Sequence, residues 1–380
     1  MNLQTLCYTS RSGWSIDPFP ALDSNQTLVL VFSAPEFIDF PEPIAALRKA
    51  YPTSHILGCS TAGEIFGTSL QDKSLSVAVV KFERTSLAVG SAVVHDSKDS
   101  FSAGRLIAER LKQPDLHGVF ILSDGSQVNG SELVRGFNTV LPDTVCITGG
   151  LAGDGDRFKR TWVIHDGTPQ SGIVAAVGFY GDRIEIGHGS QGGWDIFGLE
   201  RTVTRSEGNV LYELDGKAAL QLYKNYLGDL ATGLPSTALL FPLALRASAT
   251  DDKPIVRTVL AVDEASQSMT FAGDIPQGYR AQLMKANFER LIDGASQAAM
   301  MAQSAAAANS DTLCIAVSCV GRRLILGSRI EDELEATVKA LPGKPHQVGF
   351  YSYGEISPSG GYCNLHNQTM TVTTIREAAV

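Results

Sequence analysis

The sequence predicts an α/β fold with mixed (α+β) sheets, in which two domains are built from duplicated strand–helix–strand–turn–strand units. Two observations support this class. Apolar runs of strand length alternate with segments of helical spacing, and the same order of elements comes three times along the 380 residues. Because the repeat is longer than the roughly 20–50 residues of a solenoid, it indicates duplication of a whole αβ unit.

The first unit begins with the strand TLVLVFS at 27–33. A proline-led segment at 43–52 has helical spacing, since proline is favoured at the first helical position. A second strand at 54–60 leads into the turn Ala62-Gly63-Glu64. The alternating segment SLSVAVVKFE at 74–83 then predicts a closing strand.

The second unit repeats this order. The strand GVFILSD at 118–124 precedes a helix for which Ser131 is the expected N-cap. The next strand ends in Ala152-Gly153-Asp154, which we take as the equivalent of Ala62-Gly63-Glu64. The apolar run GIVAAVGFYG at 172–181 closes the unit.

The third unit has a strand at 312–321, an acid-led helix at 330–343 and a strand ending in Tyr353-Gly354-Glu355, with a closing strand at 367–375. Ahead of it, three segments alternate like antiparallel strands, and 282–308 has the spacing of one long helix. We place the boundary near 230–235. The predicted domains are therefore 1–230 and 231–380.

Composition limits the class of function. The chain is 44% hydrophobic and 19% charged with a net charge of −9, and an acidic surface repels nucleic-acid phosphates. No apolar run approaches the ~18 residues of a membrane helix, and the first residues lack the pattern of a secretory signal. We expect a cytoplasmic protein that binds neither nucleic acid nor membrane; homo-oligomerisation stays open.

The repeated glycine–carboxylate turns can be interpreted in two ways. A carboxylate after glycine locks the turn by accepting backbone N–H groups, or the strand ends converge on a ligand crevice. The third copy is the richest in polar and aromatic groups. The expected ligand-binding residues are Glu64, Asp154, Arg322, Arg323, Tyr351, Tyr353, Glu355 and Asn367. No nucleophile elbow, paired carboxylates or phosphate-loop lysine accompanies them, so we expect no enzyme.

Seven segments, in order, carry a resemblance to a known family. They are ILGCSTAGEIFG, GGLAGDGDRF, VTRSEGNVLYELDGKAALQLYKNYLG, FAGDIPQG, SCVGRRLILG, GFYSYGEISP and LHNQTMTVT. The chain resembles the FIST domain family, with an N-terminal and a C-terminal FIST module. The resemblance implies a small-ligand sensor, and the stand-alone layout is similar to a subset of nitric-oxide-sensing haem proteins that regulate a partner histidine kinase.

Haem bound in this way needs an imidazole ligand, and the candidates are His188, His346 and His366. His188 lies among glycines that admit a flat ring, His346 begins a strand, and His366 follows the third turn. The residues do not choose among them. The alternative is a sensory module without haem that binds an amino acid or small anion, with an arginine for the carboxylate and Glu64 or Glu355 for the ammonium. A further alternative is an interaction scaffold without a ligand.

Overall fold

The computed structural model describes residues 1–165, 167–248, 254–303 and 311–378. The first repeat follows the predicted order, and Pro43 lies in the first turn of its helix, where proline loses no hydrogen bond. Its elements are β1 Asn2–Thr9, β2 Gly13–Trp14, β3 Thr27–Ser33, α1 Glu42–Ala50, β4 His55–Ser60, β5 Glu64–Phe66, β6 Ser69–Gln71 and β7 Ser74–Lys81.

The second repeat has the same order with one more helix in front. Its elements are β8 Ser86–Val93, α2 Ser100–Leu111, β9 Leu116–Ser123, α3 Gly130–Asn138, β10 Cys146–Leu151, β11 Val163–His165, β12 Thr168–Gln170, β13 Ile173–Tyr180 and β14 Ile184–Gln191. The N-cap of α3 is Asn129, whose side chain accepts from the backbone N–H of Ser131 at 3.0 Å and of Glu132 at 3.2 Å. The prediction of Ser131 was wrong because Asn129 reaches both of these N–H groups.

An antiparallel region separates the second and third repeats. Its elements are β15 Trp194–Ile196, β16 Arg201–Glu207, β17 Val210–Leu214, β18 Lys217–Ala218, α4 Ala219–Leu227, β19 Leu243–Arg246, β20 Ile255–Arg257, β21 Val259–Asp263, β22 Ser268–Phe271 and β23 Arg280–Ala286. These strands form a sheet with a core of its own, which includes Val203, Leu220 and Phe271.

The third repeat completes the chain. Its elements are α5 Phe288–Met301, β24 Asp311–Cys319, α6 Val320–Leu326, α7 Ile330–Ala340, β25 Lys344–Ser352, β26 Gly354–Ser359, β27 Tyr362–His366 and β28 Met370–Glu377. The helix predicted at 282–308 begins only at Phe288, because β23 pairs as a strand with β19 at 280–283 and with β15 at 284–286. The stretch 304–308 of that prediction lies outside the described residues.

Each repeat builds one sheet around a parallel strand pair. The pairs are β3 with β4, β9 with β10 and β24 with β25. In each sheet the closing strand runs antiparallel beside the first strand of the pair, as β7, β13 and β28 do. One further strand pairs antiparallel with the other edge of each closing strand: β1 with β7, β8 with β13 and β14 with β28. The three sheets are therefore copies of one arrangement.

The repeats also exchange hairpins in a cycle. The β5–β6 hairpin of the first repeat pairs with β25 of the third, the β26–β27 hairpin of the third with β10 of the second, and the β11–β12 hairpin of the second with β4 of the first. One apolar cluster contains Phe32, Leu122 and Val317 from the three sheets. In that cluster Phe32 stacks on Phe350 at a centroid distance of 4.9 Å. A cut at residue 230 would consequently divide two of these hairpins from the sheets that they complete.

Candidate ligand-binding site

The three strand-end turns meet where the sheets converge. The backbone N–H of Ala62 donates to Tyr351 O at 2.8 Å, that of Gly153 to Ser60 O at 3.0 Å, and that of Tyr353 to Leu151 O at 3.2 Å. In these three bonds, each repeat donates to one neighbour and accepts from the other. This ring of backbone bonds brings Glu64, Asp154 and Tyr353 into one region, as the prediction of converging turns requires.

The ring corrects the equivalence assigned from sequence. Gly58, Gly149 and Gly349 occupy matching places, since a Cβ on each would contact a carbonyl of the parallel partner strand: Val31 O, Ile121 O and Ala316 O respectively. From these glycines, the residues that donate in the ring are Ala62, Gly153 and Tyr353. The second copy is one residue shorter before its acid, so Asp154 falls at the position of Gly63 and not of Glu64.

Glu64 and Glu355 are true equivalents, and both hold their turns together. Glu64 accepts from Ser74 Oγ at 2.8 Å and from the hydroxyl of Thr61. Glu355 accepts from Ser352 Oγ at 2.6 Å and from Thr369 Oγ1 at 3.0 Å. Burial raises the pKa of each carboxyl to about 8. Both carboxyls are therefore largely neutral at pH 7 and act as turn locks.

A cavity of about 430 Å³ adjoins the first turn and carries charges of both signs. Its cationic residues are Lys73, Arg157 and Arg323, and its acids besides Glu64 are Glu36, Asp72, Asp154 and Asp156. Val320 and Leu324 of α6 add an apolar wall. Since Glu64 is largely neutral, the acids and cations nearly balance, which suits a zwitterion better than an anion.

Arg323 enters the cavity through the space left by a glycine. Gly63 has φ +133°, and a Cβ on it would lie 2.5 Å from Arg323 Nη1. The guanidinium donates to Ala62 O through Nη1 and to both carboxylate oxygens of Asp72 at 2.8 Å through Nη2. The glycine of the first turn therefore permits the close approach of this arginine.

Two arginines attach the loop at 154–160, which forms another wall of the cavity, to the segment at 35–39. Arg157 donates to Glu36 at 2.7 Å on the short helix at 35–38, and Arg160 pairs with Asp39, the residue that follows this helix. Asp154 holds the loop from inside. It accepts from the backbone N–H of Lys159 and Arg160, and from the hydroxyl of Tyr353. Tyr353 in turn stacks on Phe158 at 4.7 Å.

Five of the predicted ligand-binding residues do not line this cavity, because their side chains serve the interior: Arg322, Tyr351, Tyr353, Glu355 and Asn367. Arg322 is fully buried, donating to Glu333 at 2.7 Å and to Leu291 O at 2.7 Å, and Tyr351 donates to Glu333 at 2.8 Å. Asn367 accepts from Thr258 N at 3.4 Å. Glu355 is the turn lock described above. Arg322 and Arg323 both lie on α6, at 320–326.

A second cavity of about 580 Å³ includes His188 in its lining. Within the described part of the chain, His188 Nδ1 is buried without a hydrogen-bond partner, and burial lowers the pKa of the imidazole. The other two candidates are engaged. His346 Nε2 lies 3.1 Å from Asp311, and His366 Nε2 lies 3.1 Å from Ser357 O. His188 is thus the one of the three that combines a cavity with an unpartnered ring nitrogen.

Sequence reasoning missed several residues of the charged cavity. Glu36, Asp72, Lys73 and Arg157 line it together with the apolar residues of α6. Arg157 stands within the quoted segment GGLAGDGDRF, and Asp72-Lys73 follows the first turn closely. The sequence signal that could have identified these cavity residues was therefore the presence of opposite charges close to the repeated glycine turns. The pairing of Arg157 with Glu36 was not readable, since 121 positions separate them.

In the described residues, no helix combines the length and apolar character needed to span a membrane. Likewise, no group of three or more His, Cys, Asp or Glu in that part of the chain is arranged to hold a metal ion. The six cysteines are free thiols.

The fold therefore consists of repeated α/β sheets whose strand-end turns border one charged cavity. Comparison with known families identifies the family: the FIST N domain matches residues 27–217 and the FIST C domain matches 219–358. The chain belongs to the FIST family, whose domains are signalling sensor modules that bind small ligands. The family regions meet at 217–219, whereas the expected boundary was 230.

Two individual proteins show more distant likeness. An uncharacterized protein of Methanocaldococcus jannaschii is 22% identical in an alignment of length 354, which covers 81% of this chain and 65% of that relative. The chain thus spans less than two thirds of the relative's length. The crystal structure of cyanuric acid hydrolase from A. caulinodans aligns with 100% of this chain and 99% of its own, at 11% identity and a TM-score of 0.34. A likeness at this level says nothing about function.

Proposed function

We propose that this chain is a sensory protein, without catalytic activity, whose charged cavity binds a small zwitterion of the α-amino-acid class. It passes the signal to a separate protein, for which a sensor histidine kinase in the cytoplasm is the proposed partner. One observation carries the proposal. Cations, carboxylates and an apolar wall surround the same cavity of about 430 Å³.

The lining offers a place for each part of an amino acid. Arg323 and Arg157 present guanidinium groups to a carboxylate, which guanidinium binds through paired hydrogen bonds. Asp156, exposed at the rim, and Asp154 supply negative charge for an ammonium group. Val320 and Leu324 would contact an aliphatic side chain. Glu64 contributes no charge at neutral pH because burial raises its pKa to about 8.

A thermal-denaturation screen with the L-amino acids tests this proposal. A ligand that binds only the folded state raises the melting temperature in proportion to the logarithm of its concentration. We expect at least one amino acid to do so, and the matching amine or carboxylate alone to do so less. Arg157→Gln should weaken binding by about tenfold, roughly 1.4 kcal/mol.

Arg160→Gln is the matched control. Arg160 lies on the same loop and pairs with an exposed acid in the same way, but it is not part of the cavity lining. It should bind the ligand as the wild type does. The proposal fails if no amino acid shifts the melting temperature, or if the two variants lose affinity equally.

A second candidate function is haem-based sensing of nitric oxide, and the unpartnered Nδ1 of His188 favours it. Leu141, Ile147 and Ile186 give the cavity beside His188 an apolar strip. Only an iron ligand would be provided, by His188, because no arginine or lysine among the described residues lines that cavity for the propionates. When bound, haem would supply an iron that takes up nitric oxide. His188 would hold it through a neutral imidazole.

The absorption spectrum of haem-reconstituted protein tests this candidate. We expect a Soret band that shifts with nitric oxide and that His188→Ala abolishes while the protein stays folded. His346→Ala, which removes a half-exposed histidine paired with Asp311, should leave the band unchanged. An unaltered Soret band in His188→Ala, or no band at full haem load, would reject haem binding at this cavity.

A further inference from the structure

We infer that Asp72 occupies, on Arg323, the place of a ligand's carboxylate, and that a carboxylate ligand enters the cavity by exchanging with Asp72. The exchange releases the turn at 72–73, which connects β6 to β7. This inference rests on the proposed function, since it assigns the carboxylate-binding residue and the moving part of the same cavity.

The guanidinium of Arg323 already holds a carboxylate, that of Asp72, through one of its nitrogens. Nη2 of Arg323 lies 2.8 Å from each oxygen of Asp72, while Nη1 is fixed on Ala62 O. The guanidinium is therefore held in position by the backbone of the turn, whatever its other partner is. A free carboxylate can take the position of Asp72 without any movement of Arg323.

Exposure makes Asp72 the replaceable partner. The side chain of Asp72 is 63% exposed and that of Arg323 21%, and ion pairs open to water are weak. The neighbouring pair of Arg322 and Glu333 differs, because both side chains are 0% exposed. The two adjacent arginines thus have separate functions: Arg322 anchors α6 in the interior, and Arg323 presents its guanidinium at the cavity.

The turn behind Asp72 is held in a conformation that it does not favour by itself. Lys73 has φ +54°, in the left-handed region that non-glycine residues seldom adopt. Release of Asp72 removes one of the contacts that hold this conformation. The segment that would move belongs to the FIST N region, and Arg323 belongs to the FIST C region. A bound carboxylate therefore changes a contact between the two.

Limited proteolysis after Lys73 measures the release, because Lys73 is exposed and is a trypsin site. Acetate is the probe, compared with sodium chloride at equal ionic strength. In the wild type, acetate should accelerate cleavage after Lys73 several-fold over chloride. Asp72→Asn should be cleaved faster without acetate and respond no further. It should also bind carboxylates about two- to five-fold more tightly, the range expected for an exposed ion pair.

Arg323→Lys keeps the charge and removes the paired geometry, so acetate should lose most of its effect on cleavage. Asp215→Asn is the control, because Asp215 forms a comparable exposed pair with Arg201 in the antiparallel sheet. It should behave as the wild type. Equal cleavage rates with acetate and chloride, or a wild-type rate in Asp72→Asn, overturn the inference.

The result also separates this inference from the proposed function. If acetate accelerates cleavage but no amino acid raises the melting temperature, the exchange stands and the amino-acid proposal fails. If an amino acid raises the melting temperature while neither it nor acetate changes cleavage after Lys73, the cavity binds amino acids without the exchange.

Discussion

Arg322 and Glu333 form an ion pair in which both side chains are completely buried. Arg322 also donates to Leu291 O at 2.7 Å, and Tyr351 donates to the other oxygen of Glu333 at 2.8 Å. This pair therefore joins α5, α6, α7 and β25, and it fixes the helix that presents Arg323 to the charged cavity.

Removal of one partner should be costly, since it leaves the other charge buried and unpaired. We expect Glu333→Ala to lower the free energy of unfolding by about 3–5 kcal/mol. Urea denaturation measures this loss. Glu335→Ala is the control on the same helix; its exposed pair with Lys339 should be worth about 0.5 kcal/mol or less. Similar losses in both variants would contradict the buried pair's role.

Gly63→Ala should displace Arg323. The new Cβ would lie 2.5 Å from Nη1 at a φ of +133°, so we expect a loss of about 1–3 kcal/mol in unfolding free energy together with weaker carboxylate binding. Gly67→Ala is the control, with φ +61° and open space around its Cβ position. The Gly67→Ala variant should lose stability, because alanine is strained at this φ, and should bind carboxylates as the wild type does. Normal binding by Gly63→Ala would show that Arg323 does not depend on this glycine.

Stability should fall with rising pH through the titration of Glu64 and Glu355. Their folded pKa is about 8 against an ordinary value of 4.5, so the folded state keeps protons that the unfolded state releases. The stabilisation is complete below pH 4.5 and is lost as pH rises through 8. His366 acts oppositely below pH 6.5, because burial lowers its pKa to about 4. At pH 6.5–8 His366 no longer opposes the two glutamates, so this is the window for the measurement.

Denaturant titrations across that window check the prediction. The double variant Glu64→Gln, Glu355→Gln keeps a neutral side chain of similar shape at both turns, so its free energy of unfolding should depend less on pH. Glu335→Gln changes an exposed carboxylate and should keep the wild-type slope. A double variant with an unchanged slope would place the titrating groups elsewhere.

The fragments 1–230 and 231–380 should not fold separately, although the sequence predicted them as domains. The fragment 231–380 lacks β5, β6 and β14, which pair with β25 and β28, and the fragment 1–230 lacks the β26–β27 hairpin that pairs with β10. Unpaired strand edges and exposed apolar cores should make both fragments aggregate. Cooperative thermal unfolding of either fragment alone would refute this expectation.

Much of the local structure was readable from the residues. The parallel strands at 27–33 and 54–60, for example, are apolar runs bounded by turns, and their period and length identify them. The cavity was readable only in part. Glu64, Asp154 and Arg323 stand in or beside recognisable glycine motifs. Glu36 and Asp72 line the cavity because they pair with Arg157 and Arg323, which are distant from them in sequence.

The repeated unit and its glycine turns could be predicted from the residues alone, because strand and helix periodicity are local properties of a chain. The resemblance to the FIST family rested on seven sequence segments. The structure was needed to show that the repeats exchange hairpins, that Asp154 falls one position away from Glu64's place, and that Arg322 is interior while Arg323 faces the cavity. Those outcomes depend on which strand edges pair and which charges lose water, and both are set by residues distant in sequence.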